Sequence, residues 1–344
     1  MNIVYYSSDF FSEMCGVSME SLCCSNTASA EIEFYIVEDH ITDTNKKRLA
    51  EIAERYHRNI HFIRMPSQEE IYPGVSINLG RTYCRMALGE ILPDSVDRVL
   101  SLDCDTLIMD SIESMYHVQF ESGEYVAGVY DCVGAAIQNK VLKCPEDIRY
   151  CNAGVFLIDL KKWRERNTGK KFLDLVLKNT KEKRMMYFLE QDLMNLVFYG
   201  NLKLLPPQYN VLSSVYLFDY DDIIRMKRPV IYYSETEVNY AKAHPAIFHA
   251  TTCFYIRKRM WVKDSDHPFA GLYKDFRDAT QWAGELQIPD KRKLSKKIYA
   301  ALWHCLPQKA AFSLAAFLIN HVRPFYAWIT TKAAINTIAV QSST

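Results

Sequence analysis

The sequence predicts an α/β protein, and three observations carry that expectation. From Asn2 to Ile63 the chain alternates strand, helix, strand, helix, strand, the pattern of a parallel sheet. Further on, the apolar run of Val99, Leu100 and Leu102 has strand length and stops at two carboxylates, Asp103 and Asp105. Finally, 344 residues with 49% hydrophobic and 13% aromatic content can bury a full core. That size fits one large α/β domain with an appendage, or two domains.

Asn2 to Tyr6 is short, β-branched and aromatic, and Ser7, Ser8 and Asp9 follow as polar loop residues, so a central strand with a ligand-facing loop is expected. Phe11 to Cys24 reads as a helix and Glu33 to Val37 as the second strand. Between Thr44 and Arg58, Leu49, Ile52, Ala53 and Tyr56 share one stripe opposite charged residues, which predicts an amphipathic helix; Ile60 to Ile63 is the third strand. Gly80 to Leu92 reads as one helix that Pro93 ends. Its Arg85 could pair with Asp103 or reach a phosphate; a merely snorkelling or structurally paired arginine fits equally well.

Two carboxylates spaced i, i+2 on an extended chain point to one side. At the C-terminal end of a buried strand they are suited to holding a divalent cation against a polyphosphate. Alone, the pair reads equally as a solvated strand end. Tyr125 to Tyr130 is a further strand, and Asn152, Ala153 and Gly154 are expected to precede the apolar strand from Val155 onward. Glu190, Gln191 and Asp192 head an apolar helical pattern, either as ordinary charge at a helix N-terminus or as a cluster that grips sugar hydroxyls. Ala246 to His249 is a strand ending in histidine, and Arg257, Lys258 and Arg259 lie just beyond. A lone histidine is usually structural and adjacent cations usually solvated; with the distant Asp pair they suggest a third metal ligand and a diphosphate clamp.

Lysine plus arginine equals aspartate plus glutamate at 41 each, so no global basic field exists and nucleic acid is disfavoured as the main partner. The ten cysteines contain no CxxC pair and read mostly as small buried hydrophobes in a reducing cytosol. No basic n-region precedes the first strand, so no signal peptide is expected. After Trp282 the character changes to a basic, aromatic-rich tail whose longest apolar run, Ala310 to Ile319 apart from Ser313, is too short to span a bilayer. It fits an interfacial element on an anionic membrane surface or a helical pair packed on the main domain.

In order, Ile3-Val4-Tyr5, Thr82-Tyr83-Cys84-Arg85, Leu102-Asp103-Cys104-Asp105, Cys151-Asn152-Ala153-Gly154-Val155, Glu190-Gln191-Asp192 and His249 with Arg259-Met260-Trp261 and His267-Pro268 resemble glycosyltransferase family 8. That family includes the bacterial sugar transferases of lipopolysaccharide and capsule assembly and glycogenin-like enzymes. The match runs from Asn2 to about Phe276. The resemblance implies a GT-A fold, a mixed nucleotide-binding sheet flanked by helices, over residues 1–276; the basic, aromatic-rich helical tail over 277–344 is read from its composition, and beyond Asp290 it lies outside the family's motifs.

It further implies a retaining transferase that moves galactose or glucose from a UDP-sugar to a saccharide or lipid-linked acceptor, using Mn2+ or Mg2+. Asp103, Asp105 and His249 would be the metal ligands. Tyr6, Ser8 and Asp9 would frame uracil and ribose, while Asp105, Arg85 and Asn152 would hold the donor sugar and diphosphate. Glu190 would bind donor hydroxyls, and Gln191 would face the anomeric carbon. Ser8 stands where relatives often carry aspartate. After His249 the family's basic motif is altered, with Thr252 for its glycine and Met260 for its proline; among the three cations, Lys258 is the expected diphosphate contact. The setting implied is cytoplasmic, with the tail suited to peripheral attachment at the inner membrane face. A protein that keeps the fold but only binds the nucleotide sugar is the alternative; a nucleotidyltransferase is disfavoured because Tyr5 to Phe11 contains no glycine.

Overall fold

The computed structural model describes residues 1–29, 31–75, 83–142, 144–182, 190–253, 256–322 and 324–325. Gly80, Arg81 and Thr82 of the expected helix and the tail beyond 325 lie outside the described residues.

A seven-stranded sheet forms the centre. Its strands are β1 (Asn2–Ser8), β2 (Glu33–Asp39), β3 (Asn59–Arg64), β4 (Arg98–Leu102), β6 (Val126–Tyr130), β7 (Cys151–Asp159) and β8 (Leu202–Leu204), in the order β3-β2-β1-β4-β7-β6-β8. A second, three-stranded sheet is built from β5 (Thr106–Ile108), β9 (Val211–Leu212) and β10 (Ile247–His249), in the order β5-β10-β9. Ile3, Val4 and Tyr5 of β1 and Val99, Leu100 and Leu102 of β4 are fully buried, as strands covered on both faces must be. Strands β3, β2, β1 and β4 run parallel as the alternation predicts, but β7 runs antiparallel to both β4 and β6. The sheet is therefore mixed.

The helix Ser12–Ser25 buries Met14, Val17 and Leu22. It packs against the helix Asp43–Arg55, whose N-cap Thr42 accepts a hydrogen bond from the Asn45 N–H. A Cβ at Gly16 would lie 2.5 Å from the Trp282 ring, so the bare backbone there is what admits the tryptophan. The single helix expected before Pro93 is, over the described residues, two short ones, Tyr83–Met86 and Leu88–Ile91. Ala87 leaves the helical region at φ −109°, ψ 26°. Each turn has its own anchor: Arg85 reaches Asp103, while Gly89 lies under Trp163, too close to admit a Cβ.

Two further expectations change. Asn152, Ala153 and Gly154 lie inside β7 rather than before it, because the strand starts at Cys151. Asp103 and Asp105 do not extend β4; they occupy a tight turn closed by the Thr106 N–H on the Asp103 carbonyl at 3.3 Å, and the chain then enters β5 of the other sheet. The two carboxylates thus sit at the junction of the sheets.

The tail folds back on the body. Helices Leu294–Cys305 and Gln308–Phe317 are followed by a π-helical turn, Leu318–Val322. Phe312, Ala315 and Ile319 pack on Met226 of the helix Tyr220–Lys227, with Phe218 and Trp303 at the margin. No described helix is long and apolar enough to cross a membrane.

Candidate active site

The turn between β4 and β5 and the end of β10 bring three candidate ligands together, two carboxylates and an imidazole. His249 Nε2 lies 3.1 Å from Asp105 Oδ1 and 3.5 Å from Asp103 Oδ2. One donor atom from each residue falls within 4.8 Å of the others. Adjacent oxygen and nitrogen ligands around a small divalent cation, each about 2.1 Å from it, stand about 3 Å apart, so this cluster has the dimensions and donor chemistry of a cation site. The register explains the convergence. His249 pairs with Thr106 across the antiparallel β5–β10 ladder, and the Ala250 N–H donates to the Asp105 carbonyl at 2.9 Å.

Each carboxylate divides its oxygens. Asp103 Oδ1 takes a hydrogen bond from Arg85 Nη2 while Oδ2 faces His249. Asp105 Oδ2 takes one from Arg259 Nη1 at 2.8 Å while Oδ1 faces His249. The arginines fix the outer oxygens, and the inner ones remain directed at the imidazole. On the other side of the ring, Nδ1 meets Asn210 Oδ1 at 3.1 Å, an arrangement that orients the ring and keeps Nε2 toward the carboxylates. Gly154 closes the cradle: a Cβ there would lie 2.2 Å from His249 Cε1 and 2.8 Å from Asp103 Oδ2. The small residue noted in the sequence is required by this contact.

Charge follows geometry. Burial pulls the His249 pKa down, yet Asp105 and Asp103 outweigh it and raise it to about 9. Burial pushes the Asp103 carboxyl up, but Arg85 and His249 prevail and hold it below the ordinary carboxylate range. The two carboxylates thus favour a proton on the imidazole they face.

Beside it lies a polar network. Gln191 Oε1 accepts from the Ala153 N–H at 3.0 Å and from Asn152 Nδ2 at 3.1 Å, and its Nε2 donates to Asp131 Oδ2 at 3.1 Å. Asn152 Oδ1 accepts from the Gly154 N–H and from Asn210 Nδ2, which joins this network to the histidine. Glu190 Oε1 sits 2.9 Å from Arg85 Nε, an ion pair without hydrogen-bond alignment, and that buried oxygen has no hydrogen-bond partner. Burial raises the Glu190 carboxyl to about 7 against the pull of Arg85. Asp192 turns away and accepts from the Tyr150 hydroxyl. The trio thus divides, Glu190 toward Arg85, Gln191 into the polar network and Asp192 toward the buried Tyr150 hydroxyl.

The remaining expected residues are placed as follows. Tyr6 lies under the Arg85 guanidinium, 5.1 Å from ring centroid to charge, and its buried hydroxyl has no hydrogen-bond partner. Asp9 Oδ1 accepts from the Thr42 N–H, the Thr42 hydroxyl and Asn45 Nδ2, so this oxygen is engaged at the head of the next helix. Ser8 starts the short 3-10 turn Asp9–Phe11, and its side chain makes no capping bond. Lys258 is not brought to the carboxylates: its Nζ donates to the carbonyls of Asp264 at 2.6 Å and Lys263 at 3.4 Å, and Arg259 occupies the position beside Asp105. Asp131 and Asn210 were not singled out by sequence reasoning. An acid directly after the buried strand β6 was the available signal for Asp131; nothing local marks Asn210.

A family model for glycosyl transferase family 8 matches residues 2–249. The chain belongs to that family. General stress protein A of Bacillus subtilis is 22% identical over 284 residues, covering 82% of this chain and 94% of the relative. The lipopolysaccharide 1,2-glucosyltransferase of Escherichia coli K12 is 26% identical over 219 residues, 62% of this chain and 63% of the relative, so the match spans less than two thirds of that protein's length. Among solved structures, the galactosyltransferase LgtC with donor and acceptor sugar analogues superposes with a TM-score of 0.65 at 22% identity, covering 85% of this chain and 98% of LgtC. The bifunctional glycosyltransferase WbbM superposes with a TM-score of 0.67 at 18% identity, over 82% of this chain and 50% of WbbM. The fold is the GT-A fold of these glycosyltransferases, and this family 8 chain is a glycosyltransferase.

Proposed function

We propose that the protein is a metal-dependent, retaining transferase that moves a hexose, galactose or glucose, from a UDP-sugar to a saccharide or lipid-linked acceptor in cell-surface polysaccharide assembly. The observation that carries this reading is the Asp103, Asp105 and His249 cluster within hydrogen-bonding continuity of Gln191. The names of the lipopolysaccharide transferase and of LgtC support the substrate class by analogy. The catalytic unit is assigned to residues 1–276 and the appendage to 277–344.

Asp103, Asp105 and His249 would hold Mn2+ or Mg2+, which when bound supplies a Lewis acid that neutralises charge on the departing diphosphate. Arg259 is assigned the supporting cationic role in place of Lys258, because it already stands at Asp105. Arg85 fixes Asp103 and lies over Tyr6, which places its charge between the cluster and the first strand's loop. Glu190, with a buried oxygen lacking a hydrogen-bond donor, is suited to take a donor hydroxyl.

Gln191 is uncharged, and its amide oxygen already accepts two hydrogen bonds, so it is a weak nucleophile. It is better suited to stabilise positive character at the anomeric carbon by its amide dipole. Retention then follows from attack by the acceptor hydroxyl on the face the diphosphate leaves, with the leaving phosphate taking the proton. Loss of one such electrostatic stabiliser costs on the order of a hundredfold to a thousandfold in rate.

The test is UDP release from a panel of UDP-sugars, followed by NMR of the product's anomeric proton. Release from one donor with retained configuration supports the reading. Binding without turnover across donors and acceptors points to a nucleotide-sugar-binding protein, and an inverted product overturns the proposed stereochemistry.

A further inference from the structure

A cavity of about 720 Å³ opens beside the polar network, and its lining combines polar with apolar side chains. Asp131, Asn152 and Gln191 are among its polar lining residues, and Ile137, Tyr299, Leu318 and Val322 supply apolar surface, with Ser295 and Lys296 beside Tyr299 on the same helix. Tyr299, Leu318 and Val322 belong to the C-terminal appendage, so the appendage supplies a wall of the same space that Gln191 faces. We propose that this wall is an apolar acceptor subsite, and that the enzyme selects an acceptor whose reacting sugar is joined to a hydrocarbon group. The inference rests on the glycosyl-transfer reading above and adds the chemistry of the acceptor to it.

Three features make the wall a built surface rather than a loose tail. Ile319, beside Leu318, is buried against Met226 together with Phe312 and Ala315. The Asn320 amide donates to the Met226 carbonyl at 2.8 Å, which fixes the π-helical turn to the helix Tyr220–Lys227. Across the cavity, the loop after β6 is held to the end of that same helix by the Ala135 N–H on the Arg228 carbonyl at 2.9 Å. A Cβ at Gly134 would lie 2.5 Å from the Lys227 carbonyl, so the approach is close. The loop carrying Asp131 and Ile137 and the turn carrying Leu318 and Val322 are therefore anchored to one helix. A sugar alone is hydroxylated around its rim and gains little from Leu318, Val322 and Ile137. A hydrocarbon chain gains from each methylene it buries there.

The experiment compares methyl and octyl β-glycosides of galactose, glucose and lactose as acceptors, below the micellar concentration, with the UDP-sugar that the enzyme turns over. UDP release into water by the wild-type protein, without any glycoside, reports separately on the donor reading. We expect an octyl glycoside to act, as acceptor or as competitor of that release, at a concentration lower by on the order of tenfold or more than its methyl counterpart. Val322→Asp, at a partly exposed position, should bring the ratio toward one, and Val322→Leu should keep it. Equal methyl and octyl values in the wild-type protein, or a preference that survives Val322→Asp, overturns the subsite. Donor hydrolysis with no response to any octyl glycoside overturns the subsite while leaving the transferase reading intact. No UDP release under any condition overturns the transferase reading, and the subsite with it.

Discussion

At the scale of single residues, the site depends on how closely Gly154, Asn210 and the cation ligands approach one another. Gly154→Ala places a methyl group where His249 Cε1 and Asp103 Oδ2 now stand. The expected outcome is a folded protein, by circular dichroism, with Mn2+ affinity reduced at least tenfold or so in an electron paramagnetic resonance titration, since ligand positioning of this kind is worth about 10–100-fold. Asn210→Ala removes the partner of His249 Nδ1 and should weaken Mn2+ by a similar factor while leaving all three ligands in place. The proton on His249 competes with the ion. Its pKa is raised to about 9, so below that pH a bound cation must displace one proton. Mn2+ affinity should rise about tenfold per pH unit up to about 9 and then level off. Calorimetry in buffers of different ionisation enthalpy would register the released proton; affinity independent of pH from 6.5 to 8.5 would rule this coupling out.

At the scale of elements, two sheets meet at a turn, and helices from distant parts of the sequence lock the frame. Arg277, in the helix Ala270–Asp278, pairs with Glu13 of the first helix at 2.9 Å, with both side chains largely removed from solvent. Arg277→Ala leaves the Glu13 carboxylate partly buried without that cation, and breaking a pair of this kind costs about 3–5 kcal/mol. Urea denaturation should show the loss, and a change below about 1 kcal/mol would mean that the Tyr273 hydroxyl, which also donates to Glu13 Oε1 at 3.1 Å, is enough to hold that carboxylate. The amphipathic stripe of Leu49, Ile52 and Ala53 announced its helix, and the apolar runs around Val4, Val99 and Val155 announced their strands, because burial on both sheet faces leaves that mark locally. The antiparallel direction of β7 left no such mark. Direction is set by the long connection from β6 and by pairing with β4, and neither changes which residues are apolar. The same holds for the Asp103–Asp105 turn, whose geometry is fixed by β10, more than a hundred residues away.

At the scale of the molecule, the candidate site residues could be picked out in the sequence, and the contacts between them could not. Asp103, Asp105, His249, Arg85, Asn152 and Gln191 are polar groups set in apolar runs, and a polar group at such a position draws notice. Asp131, Asn210 and Arg259 acquire their place only from the meeting of β6, the 3-10 turn before β9 and the segment after β10; the acid after β6 and the three adjacent cations mark a region without saying which residue reaches the site, and nothing local marks Asn210. Whole-molecule stability carries its own signature of burial. His267 lies against Phe248 and Phe269, and its Nδ1 accepts from the Phe269 N–H at 3.2 Å. Burial, aided by Arg257, lowers its pKa to about 4. The unfolded imidazole takes a proton near its ordinary value of about 6.5 while the folded one resists, so this contribution is present above about 6.5 and is lost as pH falls toward 4. Urea midpoints between pH 7 and pH 4.5 should fall, and His267→Gln should flatten that part of the profile. The most direct measurement of the whole account is UDP release with Mn2+ present or chelated, in the wild-type protein and in the Asp103→Asn, Asp105→Asn double variant. Release that requires the ion and disappears in the folded variant is the predicted result; release that persists in chelator, or in the variant, would contradict the account at its centre.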